Sequence, residues 1–308
     1  PFSKYEIRGD KAYEELQKLC TANIKNEIGK CTYTHMLNEG AGIETDLTVV
    51  CLEKNHFRII SSAAVRTHDK AHILKHLSKD LEFKDVTDEL VCLGIFGPNS
   101  RDLLSKITDE DLTNKNFKFG TSKNIKLNSI NVWAQRLSYV GELGYELYIE
   151  KEKAKEIYDL IVNTGKDFGL THCGAHTMDT MRMESGFLHW GHDISPEENQ
   201  YEAGLNFAIS YKKNVDFIGK KALLKIKDKK QIKKFIMLTL KKSRPGEPLI
   251  LHDEPIYLDG KIIGRTTSGN YSFNFNKNLA FGYVKIEEDL SSLKNKKIEV
   301  EIEKIKYK

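Results

Sequence analysis

Chemistry-bearing side chains stand closest together in Leu137-Ser138-Tyr139-Val140-Gly141-Glu142-Leu143-Gly144-Tyr145-Glu146-Leu147-Tyr148. Gly141 and Gly144 permit a tight turn or a close backbone approach. Tyr139 and Glu146 then stand on either side of the bend. A phenol and a carboxylate facing one space would grip a flat, hydrogen-bonding heterocycle. The same spacing also fits a strand-turn-strand whose glutamate is simply solvated. Asp46 is a second candidate. It opens an apolar strand directly after the loop Asn38-Glu39-Gly40-Ala41-Gly42. A carboxylate there is partly desolvated and close to whatever the loop admits. The plainer alternative is an aspartate that hydrogen-bonds its own turn.

Three further groups of residues carry possible chemistry. Arg182 and Glu184 lie near the end of a helical run. His189-Trp190-Gly191-His192-Asp193 follows, and reads better as a turn presenting the Trp190 indole to a pocket than as a metal site, because ring faces suit flat ligands. His68, His72 and His76 recur every four residues on one helix face, a spacing that suits a metal. No cysteine or carboxylate completes that set in a recognisable way, so the expectation is a solvated face and no metal. Nucleophilic catalysis has little support: Gly-x-Ser-x-Gly is absent, and no cysteine has an evident histidine partner beyond the local Cys173 with His172 or His176.

The elements that must position these residues follow from hydrophobic periodicity. Helical spacing covers Asp10 to Leu19, with Asp10 as cap, then Thr67 to Leu81, Arg101 to Ile107, Lys151 to Phe168 ending at Gly169, and Gly174 to Gly186. Strand-like runs cover Cys31 to Met36, Ile43 to Leu52, Phe57 to Ser61, Leu90 to Phe96, Ile125 to Ser138 and Tyr145 to Ile149. From Phe235 onward strands dominate: Phe235 to Leu240, Pro255 to Leu258, Lys261 to Thr266, Leu279 to Val284 and Ile298 to Ile305. Short mixed units followed by a run of strands imply an α+β architecture, with residues 1–229 as an α+β region of two lobes and 230–308 as a C-terminal all-β domain. No Gly-x-Gly-x-x-Gly or phosphate loop occurs, so a nucleotide-binding core is not expected.

Composition narrows the function classes. With 308 residues, 40% hydrophobic and 30% charged, the chain has enough apolar material for two or three domains. The charge of +4, from 48 basic and 44 acidic side chains, argues against a general nucleic-acid binder. The lysine-rich stretch Lys227 to Lys234 reads as a solvated loop, or as a landing patch for a polyanionic tail. No run approaches the roughly 18 apolar residues of a membrane helix, and no basic-then-apolar leader opens the chain. Cys20, Cys31, Cys51, Cys92 and Cys173 are scattered and odd in number, which suggests reduced thiols and a cytoplasmic protein. The start at Pro1-Phe2-Ser3-Lys4, without methionine, suggests a processed chain or a piece of a longer one.

Several segments together resemble one family. Tyr33 to Val49, reading YTHMLNEGAGIETDLTV, is similar to the signature loop and strand of the folate-binding glycine-cleavage T-protein (aminomethyltransferase) family. Ser138 to Glu146 is similar to its pterin-binding motif. Met181-Arg182-Met183-Glu184, Trp190-Gly191, Tyr201-Glu202-Ala203-Gly204-Leu205, Asp216-Phe217-Ile218-Gly219-Lys220 and Gly264-Arg265-Thr266-Thr267-Ser268-Gly269 continue in family order. The Ser-Tyr-Val-Gly-Glu-Leu-Gly and Thr-Thr-Ser-Gly-Asn-Tyr-Ser forms resemble most the C-terminal folate-binding half of dimethylglycine and sarcosine dehydrogenases. Two positions depart from the pattern. Ala41-Gly42 stands for a glycine pair, and Asn199-Gln200-Tyr201 stands where Thr-Pro or Ser-Pro is common.

The resemblance implies a three-lobed, cloverleaf-like fold around a folate channel. It implies Asp46 as the catalytic carboxylate and Tyr139, Glu146, Arg182 and Trp190 as folate- or substrate-binding residues. The implied reaction passes a one-carbon unit to tetrahydrofolate, forming 5,10-methylenetetrahydrofolate. A fixed, poorly solvated carboxylate stabilises positive charge on the attacking nitrogen and assists proton removal. FAD belongs to an upstream or partner amine dehydrogenase half that this chain lacks. The alternatives are a glycine-cleavage T-protein acting on an aminomethyl-lipoyl carrier, and a non-catalytic folate-binding module.

Overall fold

The computed structural model describes residues 2–308. Pro1, where the chain's start suggests processing or a longer polypeptide, lies outside them. The chain forms two compact units that interleave along the sequence. One holds the residues up to Met36, Glu44–His172 and Ala208–Ile218; the other holds Leu37–Ile43, Cys173–Phe207 and Gly219–Lys308. The boundary at 229/230 is kept as a proposal about folding domains.

The first unit contains two antiparallel sheets. One is built from β1 (Phe2–Arg8), β2 (Cys31–Leu37), β3 (Ile43–Glu53), β4 (His56–Ser62) and β5 (Glu82–Asp85), in the order β2-β3-β4-β1-β5. Strict alternation gives it two different faces. Tyr5, Ile7, Leu47, Val49, Phe57 and Ile59 point to one side, where they bury against Leu16 and Leu19 of α1 (Ala12–Leu19) and Ile73 of α2 (Arg66–His76). Val50, Leu52 and Ile60 point to the other side and meet Tyr148 and Trp133 of the second sheet. That sheet consists of β6 (Leu90–Phe96), β7 (Ser122–Leu127), β8 (Ile130–Gln135) and β9 (Gly144–Glu150), in the order β6-β9-β8-β7. Its outer face buries Ile125, Val132, Ala134, Leu147 and Ile149 against α3 (Ser100–Leu104) and α4 (Ala154–Gly165).

The second unit carries α5 (Ala175–Glu184), α6 (Lys220–Ile226) and an antiparallel sheet of β10 (Lys233–Thr239), β11 (Pro255–Leu258), β12 (Lys261–Ser272), β13 (Lys277–Lys285), β14 (Ile298–Ile302) and β15 (Ile305–Tyr307). Its strand order is β10-β13-β12-β11-β14-β15. Ile236, Ile256, Val284 and Val300 form its core.

Four sequence expectations need correction, each for a local reason. The run Ile125 to Ser138 is a hairpin, because Asn128 and Ser129 take φ +44° and +75° and turn the chain between β7 and β8. Ile298 to Ile305 likewise breaks where Glu303 and Lys304 adopt positive φ. The second helix stops at His76, since Leu77 is already extended at ψ 139°. Asp10 does not cap α1; Lys11 occupies that position, with no side-chain bond. Among the described residues, no helix is long and apolar enough to cross a membrane.

Candidate functional site

Asp46 sits on the face of β3 that looks toward the second sheet, because Thr48, Val50 and Leu52 follow it at period two. Its side chain is 17% exposed. Burial pushes its carboxyl up to about 7; a hydrogen bond from Tyr33 pulls down, and the charge of Asp69 adds to the rise. Tyr33 and His35 lie at alternate positions of β2. The Tyr33 hydroxyl is 3.0 Å from His35 Nε2, which is itself 3.9 Å from Asp46 Oδ1. Full burial drops His35 to about 3, so its imidazole is neutral at physiological pH. With the proton on Nε2, donors run in series from His35 to the Tyr33 oxygen and from the Tyr33 hydroxyl to Asp46. Tyr33 is itself raised well above 10 by burial, then by the charge of Asp46 and the bond to it, then by Tyr139. Tyr139 is thus near enough to Tyr33 for the two phenols to feel each other's charge.

Glu146 occupies the facing sheet. It is 7% exposed, and burial raises its pKa against a 2.9 Å hydrogen bond from the Tyr148 hydroxyl. Its cross-strand neighbours are Gln135 on β8 and Gly94 on β6. The Phe96 ring lies across Gly94 and Gly144: a Cβ at either glycine would meet it at 2.6 Å or 2.3 Å. Both glycines thus clear space for an aromatic wall beside Glu146. Gly141, at φ +75°, turns the chain between Tyr139 and β9. Strand β2 carries Cys31 ahead of Tyr33 and His35. Burial, with Glu146 adding, lifts Cys31 to about 12 against a hydrogen bond to Ser122. Tyr33 and His35, two and four residues on, belong to Asp46.

Arg182 and Trp190 lie in the other unit. Arg182 is 1% exposed. Its guanidinium donates to Asp179 at 2.7 Å, Asp193 at 2.5 Å, the Phe187 carbonyl at 3.0 Å and Ser268 Oγ at 2.8 Å. It also stacks over Phe281 at 5.3 Å. Asp193 in turn accepts from Thr267 and Ser268. Trp190 donates its indole N–H to the Ile43 carbonyl at 2.9 Å. That carbonyl ends the loop Leu37–Ile43, which Ile43 N–H also fastens to the Glu198 carbonyl at 3.0 Å. A Cβ on Gly42 would lie 2.0 Å from the Pro196 carbonyl oxygen, so only glycine fits there. Ala41 takes φ +74°, the region that favours glycine.

The family model of the GCVT N-terminal domain matches residues 1–213, and that of the glycine cleavage T-protein C-terminal barrel domain matches residues 233–308. The chain belongs to the glycine cleavage T-protein family. Among T-protein relatives, it is 37% identical over 305 residues to the mitochondrial dimethylglycine dehydrogenase of Homo sapiens, across 98% of this chain and 34% of that protein. It thus spans about a third of that relative's length. It is 32% identical over 283 residues to the aminomethyltransferase of Halothermothrix orenii, across 92% of this chain and 77% of that one. The structure aligns with the aminomethyltransferase T of the glycine cleavage system from Bartonella henselae at a TM-score of 0.85 and 23% identity, across 99% of this chain and 81% of that one. The fold is the α+β aminomethyltransferase fold with a C-terminal all-β domain.

Within this T-protein fold, sequence reasoning missed Tyr33, His35, Phe96 and Gln135. The first two had a signal: with Cys31 they alternate on a strand that ends at the Asp46 loop. Phe96 had a weaker one, two glycines in strand positions. The histidine spacing leads elsewhere. His68 bridges Glu44 at 3.1 Å and Asp69 at 3.2 Å, while His72 and His76 pack ring to ring at 4.8 Å. Among the described residues, no group of three or more His, Cys, Asp or Glu is arranged to hold a metal ion. In the Lys227–Lys234 stretch, Lys233 pairs with Glu198 and Lys234 donates to the Ile286 and Glu288 carbonyls.

Proposed function

We propose that this chain is a tetrahydrofolate-dependent one-carbon transferase forming 5,10-methylenetetrahydrofolate, of the type found in the C-terminal part of dimethylglycine and sarcosine dehydrogenases. The observation that carries the reading is Asp46: a partly buried carboxyl with a pKa of about 7, held by Tyr33, on a sheet that faces the one carrying a second buried acid, Glu146. Such a group changes charge at working pH, as an acid–base catalyst must.

When bound, tetrahydrofolate supplies the nucleophilic nitrogen that takes up the one-carbon unit. Everything else falls to the chain. Glu146 accepts the ring's N–H donors, and Phe96 and Tyr139 flank it. Asp46, ionised, faces the positive charge that develops at the reacting nitrogen and accepts the proton released there. Tyr33 and neutral His35 fix its orientation and leave it uncompensated by any cation in contact. In this reading Arg182 ties α5 to the C-terminal sheet, and Trp190 holds the loop that leads into β3. FAD and the amine oxidation that generates the donor belong to a separate dehydrogenase half. The five free thiols suit a reducing compartment, the cytoplasm or the mitochondrial matrix.

A second reading is transfer from an aminomethyl-lipoyl carrier protein, and the 32% identity to an aminomethyltransferase over 92% of this chain supports it. The first test is calorimetric titration of tetrahydrofolate into the native chain and Glu146→Ala, followed by single-turnover transfer with Asp46→Ala. Micromolar binding lost in Glu146→Ala, and transfer lost in Asp46→Ala with binding kept, are the expected results. Full-rate transfer by Asp46→Ala would overturn the assignment. Turnover with the carrier and none with secondary-amine iminium donors would select the second reading. Binding without turnover on either donor would leave a folate-binding module.

A further inference from the structure

Gln135 is a buried amide with neither end engaged. It is 0% exposed, and among the described residues neither its Nε2 nor its Oε1 has a hydrogen-bond partner. Amides left in this condition are rare, because each unpaired buried group forfeits roughly 1–3 kcal/mol. Its placement explains the exception. Val132 and Ala134 face the outer core, so Trp133 and Gln135 face the other way, toward the Asp46-bearing sheet. Gln135 stands directly across from Glu146, and Trp133 directly across from Tyr148. Trp133 Nε1 is likewise buried and unpartnered. Glu146 therefore has an amide on one flank and, at Gly94, no side chain on the other.

We propose that Gln135 is a specificity-determining residue of this site, its amide reading the ring carbonyl next to the N–H donors that Glu146 accepts, so that the pair selects a 4-oxo over a 4-amino pteridine. The inference rests on the folate reading given above and deepens it. A carboxylate can take two adjacent N–H donors but offers nothing to a carbonyl beside them. The amide supplies that missing donor through Nε2, and its Oε1 remains free for a further ring N–H. Glutamine is suited to this task because the site stays uncharged on that flank.

The test compares tetrahydrofolate with its 4-amino counterpart, using calorimetric dissociation constants for the native chain, Gln135→Leu and Gln135→Glu. Thermal melts confirm that each variant folds. Loss of one hydrogen bond predicts that Gln135→Leu binds tetrahydrofolate roughly tenfold more weakly. Gln135→Glu, nearly identical in shape, places acceptors against the carbonyl and should lose at least as much there, while the 4-amino ligand loses little or gains. The preference thus narrows or inverts. Equal losses for both ligands, or no loss for either, would overturn the role of Gln135 while leaving folate binding intact. Absence of tetrahydrofolate binding by the native chain would overturn the folate reading and this inference together.

Discussion

Glu6 and Asp46 lie on the same face of the same sheet and are almost equally covered, with side chains 19% and 17% exposed. Their carboxyls nevertheless depart in opposite directions. Burial pushes Glu6 up, but hydrogen bonds and charge from His56 and Arg58 reverse this and bring it to about 2. Arg58 is its cross-strand partner, reaching it at 2.7 Å, and His56 Nε2 lies at 3.0 Å. Asp46 has a phenol and a neutral imidazole in place of cations, and stands at about 7. Burial alone therefore does not mark a functional acid; burial without compensation does. The same contrast recurs between Arg182, whose donors meet Asp179, Asp193, Ser268 and a carbonyl, and Gln135, whose amide has no hydrogen-bond partner among the described residues. Compensated groups such as Glu6 and Arg182 hold the fold, while Asp46 and Gln135 are the groups proposed above to meet a ligand.

The sharpest break in the comparison is to neutralise each acid in turn. Asp46→Asn should cut the transfer rate by about 10²- to 10⁴-fold in single-turnover assays. It should also raise stability at pH 8. The displacement from 3.8 to about 7 implies a ceiling of roughly 4 kcal/mol, of which about half is expected because Asn still buries an amide. Glu6→Gln should do the reverse. Chemical denaturation should show a loss of about 2–3 kcal/mol, because Arg58 and His56 lose their shared anion, with transfer unchanged at permissive temperature. A variant pair that moved stability in the same direction would refute the distinction.

The pH dependence separates the two acids without mutation. Asp46 has a raised folded pKa, so between about 4 and 7 the native state holds a proton that the unfolded state has released. Its contribution to stability is thus favourable at acid pH and declines as pH rises through that window. Glu6 has a depressed folded pKa, so its contribution is present above its ordinary 4.5 and is lost as pH falls toward about 2. Activity that requires ionised Asp46 should rise with pH along a single limb near 7 in kcat/KM, and Asp46→Asn should abolish that limb. A limb near 4 instead would mean that Asp46 is compensated in the free enzyme after all.

The contrast also explains what was legible in the sequence. The Asn38–Gly42 loop and the β-branched strand after it identify Asp46 as a carboxylate at the mouth of an apolar strand. The glycine-punctuated motif offers Glu146 as a candidate beside a bend, and the family resemblance, not the spacing, selects it over a solvated glutamate. The fold follows from periodicity and turn residues, apart from breaks such as Asn128-Ser129 that depend on single residues entering the left-handed region. Compensation is a tertiary quantity and is not legible. Nothing local says that Glu6 meets Arg58, fifty-two residues away in sequence, that Arg182 buries itself against Asp193, or that Gln135 finds no partner. The family resemblance gives Arg182 a place in the site, and the structure shows its guanidinium bonded to Asp179, Asp193, Ser268 and the Phe187 carbonyl.

The smallest expected effect tests whether compensation also governs aromatic groups. Trp190 reads in sequence as a ring offered to a flat ligand, yet its N–H is bonded to the Ile43 carbonyl, three residues before Asp46. If this bond is the residue's contribution, Trp190→Phe keeps the ring and removes only the donor. Stability should fall by about 1 kcal/mol, since one carbonyl is left unsatisfied. The loop anchoring the Asp46 strand should loosen, lowering kcat about three- to tenfold through imperfect placement of the carboxylate, with KM for tetrahydrofolate unchanged. Gly42→Ala, which forces the same loop away from Pro196, should reproduce that split more severely. The opposite split, KM raised with kcat intact, would make Trp190 a ring that touches ligand and would place it with the groups proposed to meet a ligand rather than with those that hold the fold.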